Sequence, residues 1–171
     1  MAGGIGNDTY VVDNVGDVVI EGVGEGIDTV QTALANYILG ANVENLIYTG
    51  NGNFTGTGNA LANTIRGRNG ADHLTGGAGN DFLNGGAGND VFVFAAAGFG
   101  ADRIQGFDAN AIGGQDLLDI SGLGITAASF AGDVSITDVG ADTLVGIGAD
   151  SIRLLGIGDA TTIDASDFIL S

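Results

Sequence analysis

The sequence predicts an all-β chain wound as a right-handed parallel β-roll, a solenoid, with a C-terminal β cap. Three observations predict it. The stretch Gly76-Gly77-Ala78-Gly79-Asn80-Asp81-Phe82-Leu83-Asn84 is followed at once by Gly85-Gly86-Ala87-Gly88-Asn89-Asp90-Val91-Phe92-Val93, one nine-residue unit written twice. Proline is absent from all 171 residues, as suits stacked strands whose every N–H is needed in a ladder. The 44% hydrophobic content recurs at regular spacing, so a chain with 33 glycines still carries the pattern of a packed core and not of disorder.

The register extends in both directions. Backwards, Gly67-Arg68-Asn69-Gly70-Ala71-Asp72-His73-Leu74-Thr75 is a third copy, and Gly58-Asn59-Ala60-Leu61-Ala62-Asn63-Thr64-Ile65-Arg66 a fourth with Asn63 in place of aspartate. Forwards, Gly98-Phe99-Gly100-Ala101-Asp102-Arg103-Ile104-Gln105 restores the pattern after a three-residue insertion. Another copy opens the chain at Gly3-Gly4-Ile5-Gly6-Asn7-Asp8-Thr9-Tyr10-Val11, and a partial one follows at Gly24-Glu25-Gly26-Ile27-Asp28-Thr29-Val30-Gln31.

Each unit divides into a six-residue turn and a three-residue strand whose middle position is apolar: Tyr10, Val30, Ile65, Leu74, Leu83, Phe92, Ile104. Side chains alternate along a strand, so these point inward and their neighbours, His73 among them, point outward. One inward residue per repeat cannot make a core alone. Two strands facing each other across two turns close an 18-residue coil, and stacked coils form two parallel sheets.

Residues 32–57 keep strand character, best at Val43–Tyr48, but lose the Gly-Asp turn, and are expected to continue the roll with irregular loops and little metal. Beyond Gly106, longer strands are expected over 116–121, 134–137, 142–147, 151–155 and 168–170. Val91-Phe92-Val93-Phe94 is apolar on both faces and needs an outer cover. The expected division is a roll over 1–106 and a cap over 107–171 that folds back on its end.

The formal charge of -17 comes from 18 Asp and three Glu against four Arg and no Lys. That excess excludes nucleic acid and anionic membrane surfaces as partners, since both need basic patches. Short aspartate side chains favour turns and hard-cation sites. Without cysteine there are no disulfides or thiolate sites, and a single histidine cannot furnish a zinc site. Met1-Ala2-Gly3-Gly4 enters a repeat directly, with no signal-peptide pattern, and no stretch has the apolar length of a membrane span.

The spacing itself points to calcium. Coils stack about 4.8 Å apart, and calcium–oxygen bonds are about 2.3–2.6 Å, so an ion midway between two stacked turns reaches both. Turns on one side recur every second repeat. Asp72 then pairs with Asp90 at 18 residues, Asp81 with Asp102 at 21 because of the insertion, and Asp8 with Asp28 at 20, while Asn63 with Asp81 is a weaker pair. The candidate ligands are those aspartates and the surrounding turn residues Gly67, Asn69, Gly76, Gly77, Ala78, Gly79, Gly85, Gly86, Ala87, Gly88, Gly98 and Gly100. At the N-terminal pair they are Gly3, Gly4, Gly6, Gly24 and Gly26. Glycine at the first, second and fourth turn positions allows positive φ and aims carbonyls at the ion. A lone Gly-Asp turn is an ordinary β-turn; adjacent copies in strict register imply several Ca2+ ions.

The nonapeptides at 3–11 and 67–93 resemble those of the RTX (repeats-in-toxin) family of bacterial secreted proteins. Asn42-Val43-Glu44-Asn45-Leu46 and Gly56-Thr57-Gly58-Asn59-Ala60-Leu61 are similar to spacer repeats between RTX arrays. Residues 90–171 resemble the C-terminal region of serralysin-type metalloproteases through Asp90–Phe94, Arg103–Asp108 and Asp116–Ser121. The resemblance implies a β-roll that is unfolded in calcium-poor cytosol and folds on calcium outside the cell. It also implies export by a type I secretion apparatus that reads an uncleaved C-terminal signal. Asp167-Phe168-Ile169-Leu170-Ser171 is similar to such signals and reads equally as a final edge strand. The family's enzymatic and toxic activities are not carried over, because the chain has no zinc-protease helix motif, no Gly-x-Ser-x-Gly elbow and no pore-forming segment.

The leading reading is a non-catalytic calcium-binding module of a secreted, extracellular or cell-surface protein. The bare solenoid edge at Gly3 makes it the C-terminal part of something longer, with an upstream domain or copies of itself as partners. A second class is a calcium-dependent self-assembling surface-layer or adhesive protein. A third is a polysaccharide-binding module, since similar rolls accompany alginate-modifying enzymes and Arg66 and Arg103 project outward. A free-standing hydrolase ranks last: carboxylates held on calcium cannot act as general acids or bases, and Asp116 with Asp119 is the only loosely placed pair.

Overall fold

A computed structural model describes residues 1–110 and 114–171. In chain order its strands are β1 (Thr9–Val12), β2 (Thr29–Thr32), β3 (Asn36–Ile38), β4 (Asn45–Tyr48), β5 (Thr55–Thr57), β6 (Thr64–Asn69), β7 (His73–Thr75) and β8 (Phe82–Ala87). They continue as β9 (Val91–Val93), β10 (Ala101–Gln105), β11 (Leu117–Asp119), β12 (Val134–Asp138), β13 (Thr143–Ile147), β14 (Asp150–Leu155) and β15 (Phe168–Ile169). Among the described residues the α-helical content is one turn, Phe130–Asp133.

Two sheets face each other. One has nine strands in the order β1-β2-β4-β6-β8-β10-β14-β13-β12, the other six in the order β15-β11-β9-β7-β5-β3. From β2 to β10 the chain alternates between them, and from β4 onward each of these strands lies parallel to the one two elements before it. This is a parallel β-solenoid, as the nine-residue period requires. Residues 13–28 depart from it, joining β1 to β2 without a strand in the six-stranded sheet.

The core is built on one column of inward side chains from each sheet, joined in the first coils by a second column through Val12, Thr32 and Tyr48. Tyr10, Val30, Leu46, Ile65, Leu83, Ile104 and Leu154 stand opposite one another in consecutive strands, and all are buried. Leu74, Phe92, Leu118 and Phe168 form the facing column. Each such side chain contributes about 1.5–3 kcal/mol by leaving water. Gly56 occupies this second column before Leu74, and the Phe54 ring fills the space a side chain would take there, stacked on Tyr48 at 4.5 Å. His73 is exposed, as alternation requires.

The outer residues Val91 and Val93 are half-buried, while Phe94 turns inward against Phe99 at 4.8 Å between ring centres. Beyond Gly106 the chain adds to both sheets. β14 runs parallel to β10, and β13 and β12 follow it antiparallel. β11 and β15 lengthen the other sheet. The strand expected over 116–121 stops at Asp119, whose carboxylate accepts the N–H and hydroxyl of Ser121 and turns the chain into a 3-10 turn.

Candidate metal centre

In each repeat the aspartate is the last residue of the turn and enters the following strand, so the strand register carries it into a vertical row. One carboxylate oxygen accepts the backbone N–H of its counterpart one coil earlier. Asp28 Oδ1 takes the N–H of Asp8 at 2.8 Å, Asp81 that of Asn63 at 2.7 Å, Asp90 that of Asp72 at 2.9 Å, and Asp102 that of Asp81 at 2.8 Å. The sequence-derived pairs at 18, 20 and 21 residues are therefore neighbours in space.

The second oxygen is the informative one. Asp8, Asp28, Asp81, Asp90 and Asp102 each hold Oδ2 buried with no hydrogen-bond partner. Asp81 and Asp90 are only 1% exposed and Asp102 2%. A buried acceptor without a donor costs about 1–3 kcal/mol, and more when charged, so these oxygens call for a cation. The donor set is all oxygen, which selects a hard ion of the calcium type over zinc.

The turns are shaped around these oxygens. Gly76 and Gly85 keep ordinary φ, in contrast to the expectation for the first turn position; what they provide is space, because a Cβ there would collide with Oδ2 of Asp81 and Asp90 respectively. At the second and fourth positions φ does decide: Gly77 has φ 106° and Gly79 126°, and a Cβ would strike the carbonyl oxygens of Asn59 and Leu61 in the coil before. Gly67 repeats the first case against Asp72, and Gly86 and Gly88 the second, over the carbonyls of Arg68 and Gly70. At the N-terminal turn Gly3 leaves room for Asp8, and Gly26 lies over the Gly6 carbonyl.

Not every expected ligand is free to turn toward an ion. The Ala87 carbonyl accepts the Gly70 N–H and the Gly100 carbonyl that of Ser151. The N–H groups of Gly98 and Gly100 are held by Asp150 at 2.7 and 3.0 Å. Asn69 is exposed in β6, opposite Ala87, while Gly4 and Gly24 have positive φ and open space around them. Asp72 has both oxygens engaged, by Phe54 and Arg68 N–H groups. Asn63 explains the weaker fourth pair: its amide donates to the carbonyls of Val43 and Glu44, so it carries its own donor where aspartate needs a cation.

Three carboxylates escaped the repeat pattern. Glu44 continues the N-terminal row, accepting the Asp28 N–H at 2.7 Å. Asp116 accepts the N–H groups of Asp90 and Asp108, which ties it into the second row and separates it from Asp119. For both, the available signal was position: each directly precedes a strand, as the repeat aspartates do. Glu21 lies with Asp8 and Asp28, one oxygen from each within 4.8 Å of the others, and no spacing rule reaches it.

Burial raises the carboxyls of Asp72 and Asp116, lifts those of Asp81 and Asp90 to about 6, and lifts Asp102 to about 7, with the charges of Asp81 and Asp150 adding to the last.

Residues 57–92 match the family described as RTX calcium-binding nonapeptide repeat (4 copies). The chain is 43% identical over 70 residues to the endo-1,3-1,4-beta-glycanase ExsH of Rhizobium meliloti, a match that spans 41% of this chain and 15% of that protein. It also matches the solution structure of the AlgE6R3 subunit of the Azotobacter vinelandii mannuronan C5-epimerase, with a TM-score of 0.58 and 27% identity over 78% of this chain and 81% of that one. The class is thereby defined: a parallel β-roll. More particularly, residues 57–92 of that roll match RTX calcium-binding nonapeptide repeats, and such repeats imply Ca2+ binding.

Two outcomes are expected. Carboxyls raised in the folded state hold protons that the unfolded chain releases near pH 4, so the ion-free roll loses stability as pH rises from about 4 to about 7. With calcium present the sign reverses, since ligands must be ionised. Any β signal retained in chelator should therefore be larger at about pH 5 than at about pH 8, and calcium affinity the opposite way round; a chelated chain that gains β signal with rising pH refutes the assignment. Secondly, Asp72→Ala with Asp90→Ala should cost little more calcium binding than either alone, because they flank one interval between coils. Asp81→Ala with Asp90→Ala should be nearly additive. Calorimetric counts of sites decide, and additive losses for Asp72 and Asp90 would mean separate ions.

Proposed function

We propose that this chain is a non-catalytic calcium-binding module of a secreted bacterial protein, held unfolded where calcium is scarce and folding on calcium outside the cell. Ions lie between stacked turns, with the repeat aspartates and glycine carbonyls as ligands. The observation that carries this reading is the row of buried aspartate oxygens without donors. Burying five such charges with nothing opposite them is untenable in a folded chain, and a bound cation removes the penalty. Binding to the folded state alone then stabilises it by mass action.

Folding that waits for calcium suits export as an extended chain, and the resemblance of residues 90–171 to serralysin-type C-termini supports a type I signal at Asp167–Ser171. The relatives, a glycanase and an epimerase subunit, suit an extracellular protein. No helix among the described residues is long and apolar enough to cross a membrane. The division proposed is a roll over 1–106 and a cap over 107–171.

One observation favours a second reading, a polysaccharide-binding face. All four arginines, Arg66, Arg68, Arg103 and Arg153, are exposed on strands of the nine-stranded sheet. Arg103 and Arg153 are register neighbours, and Arg103 lies 6.0 Å over the Phe82 ring. In so acidic a chain, gathering every guanidinium on one flat face suits an acidic sugar polymer, where planar forks meet carboxylates.

Far-ultraviolet circular dichroism tests the first reading. The β signal should vanish in chelator above neutral pH, where the carboxyls are ionised, and return with millimolar calcium but hardly with magnesium, which demands a tight octahedron and keeps its waters; a signal indifferent to calcium throughout overturns it. For the second, co-sedimentation of the calcium-loaded chain with a uronate polymer should fall in Arg66→Ala/Arg103→Ala, and undiminished binding removes that face from consideration.

A further inference from the structure

We infer that Asp8, Glu21 and Asp28 form a cation site of a different construction from the nonapeptide intervals, a three-carboxylate site that staples segment 13–28 to the first two coils. This rests on reading Asp8 and Asp28 as a stacked pair and adds Glu21, which lies outside every nonapeptide and outside the matched repeats at 57–92.

Glu21 is 7% exposed, and neither of its carboxylate oxygens has a hydrogen-bond partner. Oδ2 of Asp8 and of Asp28 are equally without donors, and one oxygen from each of the three groups lies within 4.8 Å of the other two. Glu21 is held there from outside the cluster. The Asn42 amide, carried by a residue with φ 63°, donates to the Glu21 carbonyl at 2.8 Å, and the Ile20 N–H donates to the Met1 carbonyl at 2.9 Å. Glu25 stands beside Glu21 and adds its charge there, while one of its oxygens accepts the Gly22 N–H at 2.6 Å.

The Tyr10 hydroxyl is also buried without a partner. It lies with Asp8 Oδ2 where a Cβ on Gly3 would be, so one tyrosine oxygen borders the cluster. Three carboxylates give this site one more negative charge than a two-aspartate interval, which raises affinity for hard cations and favours trivalent ones further. The segment it closes has no strand of its own and exposes Val15, Val18, Ile20 and Val23. Its other ties include backbone hydrogen bonds to Met1 and Gly6, the Asn42 amide and the packing of Val19 on the core, none of which satisfies the Glu21 carboxylate.

Terbium(III) is the probe, because tyrosine next to the ion sensitises its emission. Added to the calcium-folded chain, it should give tyrosine-excited emission. Tyr10→Phe should abolish that emission without changing the number of ions bound, leaving Tyr37 and Tyr48 in place. Glu21→Gln should weaken terbium at this site at least about tenfold, as loss of one ligand charge does. It should also remove one calcium from the calorimetric count while the calcium-induced β signal of the remaining roll persists. Emission and count unchanged in Glu21→Gln, or emission surviving Tyr10→Phe, overturn the site. Should Glu21→Gln fail to fold, Tyr10→Phe alone decides. Tyr10-dependent emission in a protein whose β signal ignores chelator would sink the calcium-folding reading and leave this site standing.

Discussion

Along each edge of the roll an aspartate is turned into the coil so that one oxygen takes the N–H of the coil before it and the other meets no donor. Asp81, Asp90 and Asp102 are the fullest examples, and their raised carboxyls measure how poorly that position tolerates a bare charge. Most other features of the molecule follow from this one. Gly76 and Gly85 have no side chain because the unpaired oxygen occupies its place. Gly77 and Gly79 take positive φ so that the chain can bend over the carbonyls of the coil before. The spacing between stacked coils is fixed by the strand ladder, and it matches two calcium–oxygen bonds end to end.

The narrow core makes that arrangement consequential. A strand of three residues contributes one inward side chain, so the columns through Leu83 and Phe92 are one residue wide. Apolar burial on this scale only just offsets the ordering of a glycine-rich chain, whose residues lose more freedom than any others. Irregular coils meet the same requirement without a charge. Asn59 and Asn63 donate their amides to the carbonyls of Gly40, Val43 and Glu44, and Phe54 stacks on Tyr48 beneath Gly56. Where asparagine stands in for aspartate, the turn satisfies itself; at Asp81, Asp90 and Asp102 one buried oxygen is left without a donor.

The two ends of the array are finished differently. Toward the C-terminus, Asp150 caps the last glycine turn by accepting the N–H groups of Gly98 and Gly100, and the antiparallel pair β13 and β12 ends the parallel stack. Toward the N-terminus, β1 is the outermost strand of the nine-stranded sheet, and the following segment returns to the roll through Glu21. Charge is thus gathered at turns and ends, while the four cationic side chains lie on the face of one sheet, away from the carboxylate rows.

The sequence by itself determined the period, the inward residue of each repeat and the pairing of Asp72 with Asp90 and of Asp81 with Asp102, because these depend on local turn chemistry and on counting residues around a coil. Even the three-residue insertion before Gly98 could be counted through. Tertiary structure alone decided what counting cannot reach. Glu21 arrives beside Asp8 and Asp28 from a segment with no repeat, held by Asn42 of the next coil. Asp116 enters the second row 26 residues after Asp90, across a connection whose length obeys no period. The role of Gly76 and Gly85 as space for a carboxylate was likewise invisible, since sequence reports that a residue is glycine and not which neighbour would strike its Cβ. Local rules propagate along a solenoid as far as its period lasts; where the chain leaves the period, only packing in three dimensions decides which side chains meet.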